Sequence, residues 1–169
     1  MTAWLTAWLP QSAAGAVHFC GALAALVLGP WILFARKGDR QHRLYGYTYV
    51  AIMAAVNVTA LGMYDITGRP NLFHFFAGLS LGTIVPGVWC AIRARRTARR
   101  HLIVAHYYFM TWAYFGLLAA FLSQVGTRLG PLPWGLSPFA AVGIGTLAAA
   151  VVANLWIQHR ATEIIRRYG

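Results

Sequence analysis

Six histidines are the side chains in this sequence best suited to chemistry, because they stand within or beside long apolar segments that contain few other polar groups. A polar side chain at membrane depth is costly, so its presence there suggests a function. Imidazole suits haem iron, zinc and copper alike, so the residue type alone leaves the metal open. The six candidate ligands are His18, His42, His74, His101, His106 and His159.

The apolar segments around these histidines are long enough to cross a membrane. Hydrophobic residues make up 59% of the 169 residues and charged residues only 10%, against about 25% charged in a soluble domain. About 20 apolar helical residues span a hydrocarbon core of about 30 Å. The sequence therefore predicts an all-α integral membrane bundle, a single domain over residues 1–169. Its five transmembrane spans are predicted at about residues 13–35, 41–64, 71–92, 101–124 and 138–158.

The net charge of +11 lies mainly in three short basic segments beside the spans, at about residues 36–43, 93–100 and 160–167. This is the positive-inside pattern of membrane proteins. With five crossings it places the N-terminus outside and the C-terminus in the cytoplasm. The basic runs are too short and too close to membrane ends to indicate nucleic-acid binding. The predicted partner is the lipid bilayer, and the predicted outer turns are residues 65–70 and 126–138.

Four of the histidines fall at two depths along the predicted spans. His18 lies about 25 Å above the inner end of span one, and His74 about 27 Å above the inner end of span three. His42 opens span two and His106 lies near the start of span four, both at the inner side. Alternate helices of an up-down bundle run parallel and can face each other across its core. The positions therefore predict two pairs, His18 with His74 and His42 with His106.

Two histidines from facing helices can ligate a haem iron from both sides. The two pairs predict two b-type haems that form an electron path across the membrane, with a carrier such as quinol at one end. His101 is a substitute for His106, because its level is nearer that of His42. Arg43 at the inner side and Arg69 outside are candidate partners of haem propionates. If the protein is an enzyme, this chemistry makes it an oxidoreductase.

Two other interpretations remain open. A zinc or copper protein, either a transporter or a metal-dependent enzyme, would gather its histidines at one level with a third protein ligand, as catalytic zinc needs. A non-catalytic subunit would instead use the histidines as interface residues, toward a partner redox subunit or a second copy. Three glycines near the histidines, Gly46, Gly78 and Gly82, can leave space for a bound ring or allow tight helix packing.

Several short motifs combine these residues in a recognisable order. They are His18 with the later Gly29-Pro30, His42-Arg43-Leu44-Tyr45-Gly46 with Tyr49, His74 at the start of span three, a basic inner loop, and His106 with Met110 and Tyr114. Over about residues 15–120 they resemble an uncharacterised bacterial family of predicted membrane proteins, domain of unknown function 2306, and they leave span five outside. The family pattern has arginine after the span-four histidine, where this chain has Tyr107. The resemblance favours His106 over His101.

The two-pair arrangement is also similar to the diheme b-type transmembrane cytochromes, whose ligands likewise come from alternate helices. Members of that group oxidise quinol or react with ferric iron or superoxide. The likeness implies electron transfer to an acceptor such as quinone, oxygen, superoxide or ferric iron. It is a likeness of architecture, so it does not specify the substrate.

Overall fold

The computed structural model describes residues 10, 12–64, 68–128 and 137–168. Within these ranges, five helices are long and apolar enough to cross a membrane. They are α1 Ala13–Phe34, α2 Arg40–Gly62, α3 Leu72–Thr97, α4 Arg100–Arg128 and α5 Pro138–Tyr168. The prediction of an all-α membrane protein with five spanning helices is confirmed. The orientation of its termini stays a prediction.

The first two helices keep their predicted bounds within two residues, whereas the last three are longer than predicted. The basic segment at residues 93–100 is not wholly a loop, because α3 continues to Thr97. The break falls at Ala98, whose φ of 52° is outside the helical region. Arginine favours the helix, so the helix continues where the apolar segment has ended. For the same reason α5 continues through its basic end to Tyr168.

Both predicted outer turns lie only partly within the described residues. Residues 65–67 of the first turn and 129–136 of the second lie outside them. The start of the second turn is wrong, since α4 remains helical to Arg128. The apolar stretch ends earlier, so hydropathy alone places the boundary too soon.

The helices form two compact units. The first contains α1, α2 and the start of α3 as far as Gly78. The second contains α3 from Leu79, α4 as far as Thr127, and α5. That the whole chain acts as a single domain stays a prediction.

In the first unit, α1 and α2 pack closely and antiparallel. A Cβ on Gly21 would lie 2.8 Å from Cγ2 of Val56, so this approach is open only to glycine. Ala25 and Met53, 0% and 1% exposed, belong to the buried core of this unit. Small residues let helix backbones approach in lipid, where packing rather than the hydrophobic effect holds helices together.

The start of α2 is fixed by Asp39, a residue type that is favoured at helix N-caps. Its carboxylate accepts a hydrogen bond of 2.7 Å from the backbone N–H of His42. Changing Asp39 to alanine is expected to lower the free energy of unfolding by about 1 kcal/mol, because that N–H loses its acceptor. The Asp39→Asn variant keeps an acceptor and is expected to lose less. Thermal unfolding in detergent, followed by circular dichroism, measures both, and equal losses would contradict the capping role.

In the second unit, α4 packs against both α3 and α5. Cys90 and Ala94 of α3 form a buried cluster with Leu102 of α4. At the other end of α4, the Ser123 hydroxyl lies 3.5 Å from the Thr146 hydroxyl of α5. Gly87 of α3 also packs closely against α4, beside His106.

Candidate functional site

His18 points from α1 to the backbone of α2. Its Nδ1 lies 3.0 Å from the carbonyl oxygen of Val56 and 3.5 Å from the Thr59 hydroxyl. A carbonyl oxygen only accepts hydrogen bonds, so the short contact places the imidazole proton on Nδ1. Nε2 of this half-buried histidine then carries a lone pair.

His106 makes the same contact in the second unit. Its Nδ1 lies 2.8 Å from the carbonyl oxygen of Gly87 in α3. By the same reasoning the proton is on Nδ1 and the lone pair on Nε2. Two histidines on different helix pairs therefore share one tautomer, in which Nε2 is able to bind a metal.

A glycine accompanies each of these contacts. Gly21 lies one turn after His18 and permits the approach of α1 to Val56, the residue whose carbonyl His18 contacts. At Gly87 an added Cβ would lie 2.9 Å from Sδ of Met110 and 3.1 Å from Cβ of Phe109. The side chains reach the neighbouring backbone because these glycines bring the helices together.

His74, near the start of α3, has a different environment. Its Nδ1 lies 3.2 Å from Oδ1 of Asn71, and the backbone N–H of Asn71 is 3.3 Å from the same nitrogen. Its ring lies 4.8 Å from the ring of Tyr64, between centroids. Its Nε2 is buried and has no hydrogen-bond partner among the described residues. An unsatisfied buried polar atom costs about 1–3 kcal/mol. In the contact with the Asn71 N–H, Nδ1 accepts and the ring proton is on Nε2; a ring that ligates through Nε2 would instead donate from Nδ1 to Oδ1 of Asn71.

The first unit brings His18 and His74 to the same end of α2. His18 contacts Val56 and Thr59, in the last two turns of that helix, while His74 lies against Tyr64, just beyond its end. This is the end to which the predicted depths assign both histidines. That they ligate one group together stays a prediction.

The two ligands predicted at the inner side, His42 and His106, belong to different units. His42, at the start of α2, is half-buried with its Nδ1 screened from solvent. It belongs to the first unit and His106 to the second, and their pairing stays a prediction. His101, the substitute for His106, is exposed at the start of α4, whereas His106 is half-buried. The surroundings of the two agree with the preference for His106.

The two candidate propionate partners are exposed arginines. The guanidinium of Arg43 donates a hydrogen bond of 3.1 Å to the carbonyl of Gly38, in the turn before α2. This contact uses one of its five N–H donors. Arg69 lies exposed in the segment before α3. Binding of either arginine to a propionate stays a prediction.

Three glycines named from the sequence do not mediate tight packing. A Cβ added at Gly46, Gly78 or Gly82 would meet no atom within 4 Å. Two of them follow a candidate ligand by one helical turn, Gly46 after His42 and Gly78 after His74. Space beside a candidate ligand is therefore present at these positions, as the bound-ring interpretation requires.

The structure also reveals a polar cluster that the sequence analysis did not single out. In the second unit, the Tyr107 hydroxyl of α4 faces the Thr111 hydroxyl and the indole of Trp156 in α5. Thr111 is 0% exposed, and its hydroxyl lacks a hydrogen bond of ordinary length among the described residues. Arg160 covers the Trp156 ring at 5.5 Å and pairs with Glu163 at 2.9 Å. No sequence signal joins these residues, because their contact depends on how α5 docks on α4.

No group of three or more histidine, cysteine or acidic side chains able to hold a metal ion occurs in the described part of the chain. The candidate ligands identified above are individual histidines. The arrangement thus defines a class: a multi-pass α-helical membrane protein with imidazoles held toward its interior.

This chain belongs to DUF2306, a family of predicted membrane proteins, whose sequence model matches residues 15–160. The match corrects the sequence analysis in one respect, since it extends through most of α5 and does not stop near residue 120. The short motifs around the histidines could not show this, because α5 carries none of them. No curated protein and no solved structure matches the chain.

Proposed function

We propose that this protein is a b-type haem protein of the bacterial inner membrane that passes electrons between a carrier such as quinol and an acceptor on the other side. Its N-terminus would lie outside and its C-terminus in the cytoplasm. The observation that carries the proposal is a contact that His18 and His106 share: the Nδ1 atom of each lies against a backbone carbonyl oxygen, at 3.0 and 2.8 Å.

A metal-ligating histidine almost always donates its other ring N–H to a carbonyl, a carboxylate or a water, which fixes the ring and makes the ligating nitrogen more basic. His18 and His106 have this arrangement before any metal is bound. The buried Nε2 of His74 has no hydrogen-bond partner among the described residues. Nε2 of His18 and of His106 is the nitrogen that a haem iron would bind, and His74 would bind it in the tautomer whose Nδ1 donates to Oδ1 of Asn71.

Haem fits these residues better than zinc does. Catalytic zinc takes three protein ligands and structural zinc four, whereas haem iron needs one or two imidazoles. Within the described residues the histidines do not gather into such a group of three. The apolar helices around them also suit a largely apolar macrocycle.

A haem bound here would supply the one-electron chemistry. The residues of this chain would hold and tune it: His18 and His74 would bind it at one end of the first unit. The carbonyl of Val56 keeps the proton of His18 on Nδ1. Burial of the group and the residues that bind it would influence its reduction potential.

The test is an absorption spectrum of the protein purified in detergent, reduced minus oxidised, with haem and metals measured per chain. We expect strong haem bands in the wild type. His106→Ala is expected to remove about half of the bound haem, because one of two sites loses an axial ligand. The matched control is His101→Ala, an exposed histidine on the same helix, which should retain the full amount.

Two outcomes would overturn the proposal. A colourless wild-type protein with stoichiometric zinc or copper would assign the histidines to another metal. A colourless, metal-free protein that purifies with another subunit would assign them to an interface.

A further inference from the structure

An open groove of about 640 Å³ runs along the outside of the first unit between α1 and α2. Its walls are apolar over nearly their whole length. It is lined by Leu23, Ala24, Val27, Leu28, Trp31, Tyr45 and Ile52. The five α1 residues recur every three or four positions, so they form one stripe along the helix. From Leu23 to Trp31 this stripe is about 12 Å long, which suits an extended chain better than a compact ring.

The groove leads from the apolar part of the helices toward a basic turn. Trp31 and Tyr45 lie nearest that turn, and such aromatic side chains favour the level of lipid headgroups. The turn contains Arg36, Lys37, Arg40 and Arg43 within eight residues. The apolar groove and the cationic turn therefore adjoin each other at the depth where lipid tails meet headgroups.

Two of the four cations are occupied by the protein itself. Nζ of Lys37 donates to the carbonyls of Ile32 and Leu33 at 2.8 and 2.7 Å, at the end of α1. Arg43 donates to Gly38, as described above. The one acid of the turn, Asp39, caps α2. These contacts satisfy backbone groups at the helix ends and so have a structural role.

Arg36 and Arg40 differ from these two cations. Both are exposed, and neither forms an ion pair within the described part of the chain. A guanidinium matches the oxygens of a phosphate, which it binds through two parallel hydrogen bonds. The turn thus offers two uncommitted phosphate-binding groups beside an apolar groove.

We infer that this groove binds one anionic phospholipid, with an acyl chain along α1 and α2 and the phosphate at Arg36 and Arg40. Charge complementarity selects the lipid class, because a zwitterionic headgroup carries its own cation. Basic pockets beside transmembrane helices bind anionic headgroups on the same principle. The inference does not depend on haem binding, so the two proposals can fail separately.

The experiment is native mass spectrometry of the detergent-purified chain with added phosphatidylglycerol, or with phosphatidylcholine of the same acyl chains. We expect one phosphatidylglycerol to remain bound at voltages that strip phosphatidylcholine. The R36Q/R40Q double variant is expected to bind it at least about tenfold more weakly, since each arginine near the headgroups contributes about fivefold. The charge-matched control is R95Q/R96Q, at the end of α3, which should bind as the wild type does.

A second variant tests the groove itself. Ala24→Phe fills the groove at an exposed position and leaves every cation in place. It should therefore also weaken the binding of phosphatidylglycerol. Circular dichroism checks that the helices remain folded. If Ala24→Phe still bound phosphatidylglycerol as the wild type does, the acyl chain would not lie in the groove. Equal losses in the two arginine double variants would show attraction by net charge alone. Equal binding of both lipids would show that the headgroup charge is not recognised, and either result would overturn the site.

Discussion

Changing either His18 or His74 to alanine is expected to remove about half of the haem bound by the protein, because each variant takes one axial ligand from one of two sites. The double variant His18→Ala/His74→Ala is expected to lose no more than either single variant. Residues that ligate one group act as a unit, so their losses do not add. Haem per chain, measured on purified protein from the absorption of the reduced haem, gives all three values.

The control for this series is His159→Ala, which removes an exposed histidine of α5 and should leave the haem content unchanged. If the double variant lost twice as much as each single variant, His18 and His74 would serve different sites and the proposed pair would be wrong. If neither single variant lost haem while His106→Ala did, ligation would be confined to the second unit. Each result identifies which histidines share a group.

Changing Gly87 to valine is expected to lower the free energy of unfolding by about 1–3 kcal/mol, the usual cost of overpacking. An added Cβ would lie 3.1 Å from Cβ of Phe109, which is fixed to the backbone of α4 and cannot turn aside. The Met110 thioether, 2.9 Å away, can move more easily. The two helices must therefore separate, and His106 loses its contact with the Gly87 carbonyl. Thermal unfolding in detergent measures the first effect.

The matched control is Gly116→Val on α4, where a Cβ would meet no atom within 4 Å. We expect this variant to unfold at nearly the wild-type temperature. The Gly87→Val variant should also weaken the hold of His106 on its ligand, so its haem content should fall with its stability. Equal stability of the two variants would mean that α3 and α4 are not packed as closely as the structure shows.

The composition and the local pattern determined the number and approximate positions of the spans. A membrane-spanning helix must satisfy its own backbone hydrogen bonds, so about 20 consecutive apolar residues are sufficient to predict it. The N-cap of α2 was equally predictable, because Asp39 acts on an N–H only three residues away. The candidate histidines followed from the rarity of polar side chains within apolar segments. All of these features depend on residues that are neighbours in the chain.

The roles of the glycines were not determined locally. Nothing in the sequence distinguishes the role of Gly46 from that of Gly87. Of these two glycines, however, only Gly87 lies against a neighbouring helix. The sequence also cannot show that His18 contacts Val56, 38 positions along the chain, because which faces of two helices meet depends on packing along their whole length. The proton positions on His18 and His106, and the groove that leads to Arg36 and Arg40, follow from those contacts. Tertiary structure alone therefore decided which ring nitrogen of His18 and of His106 faces a backbone carbonyl.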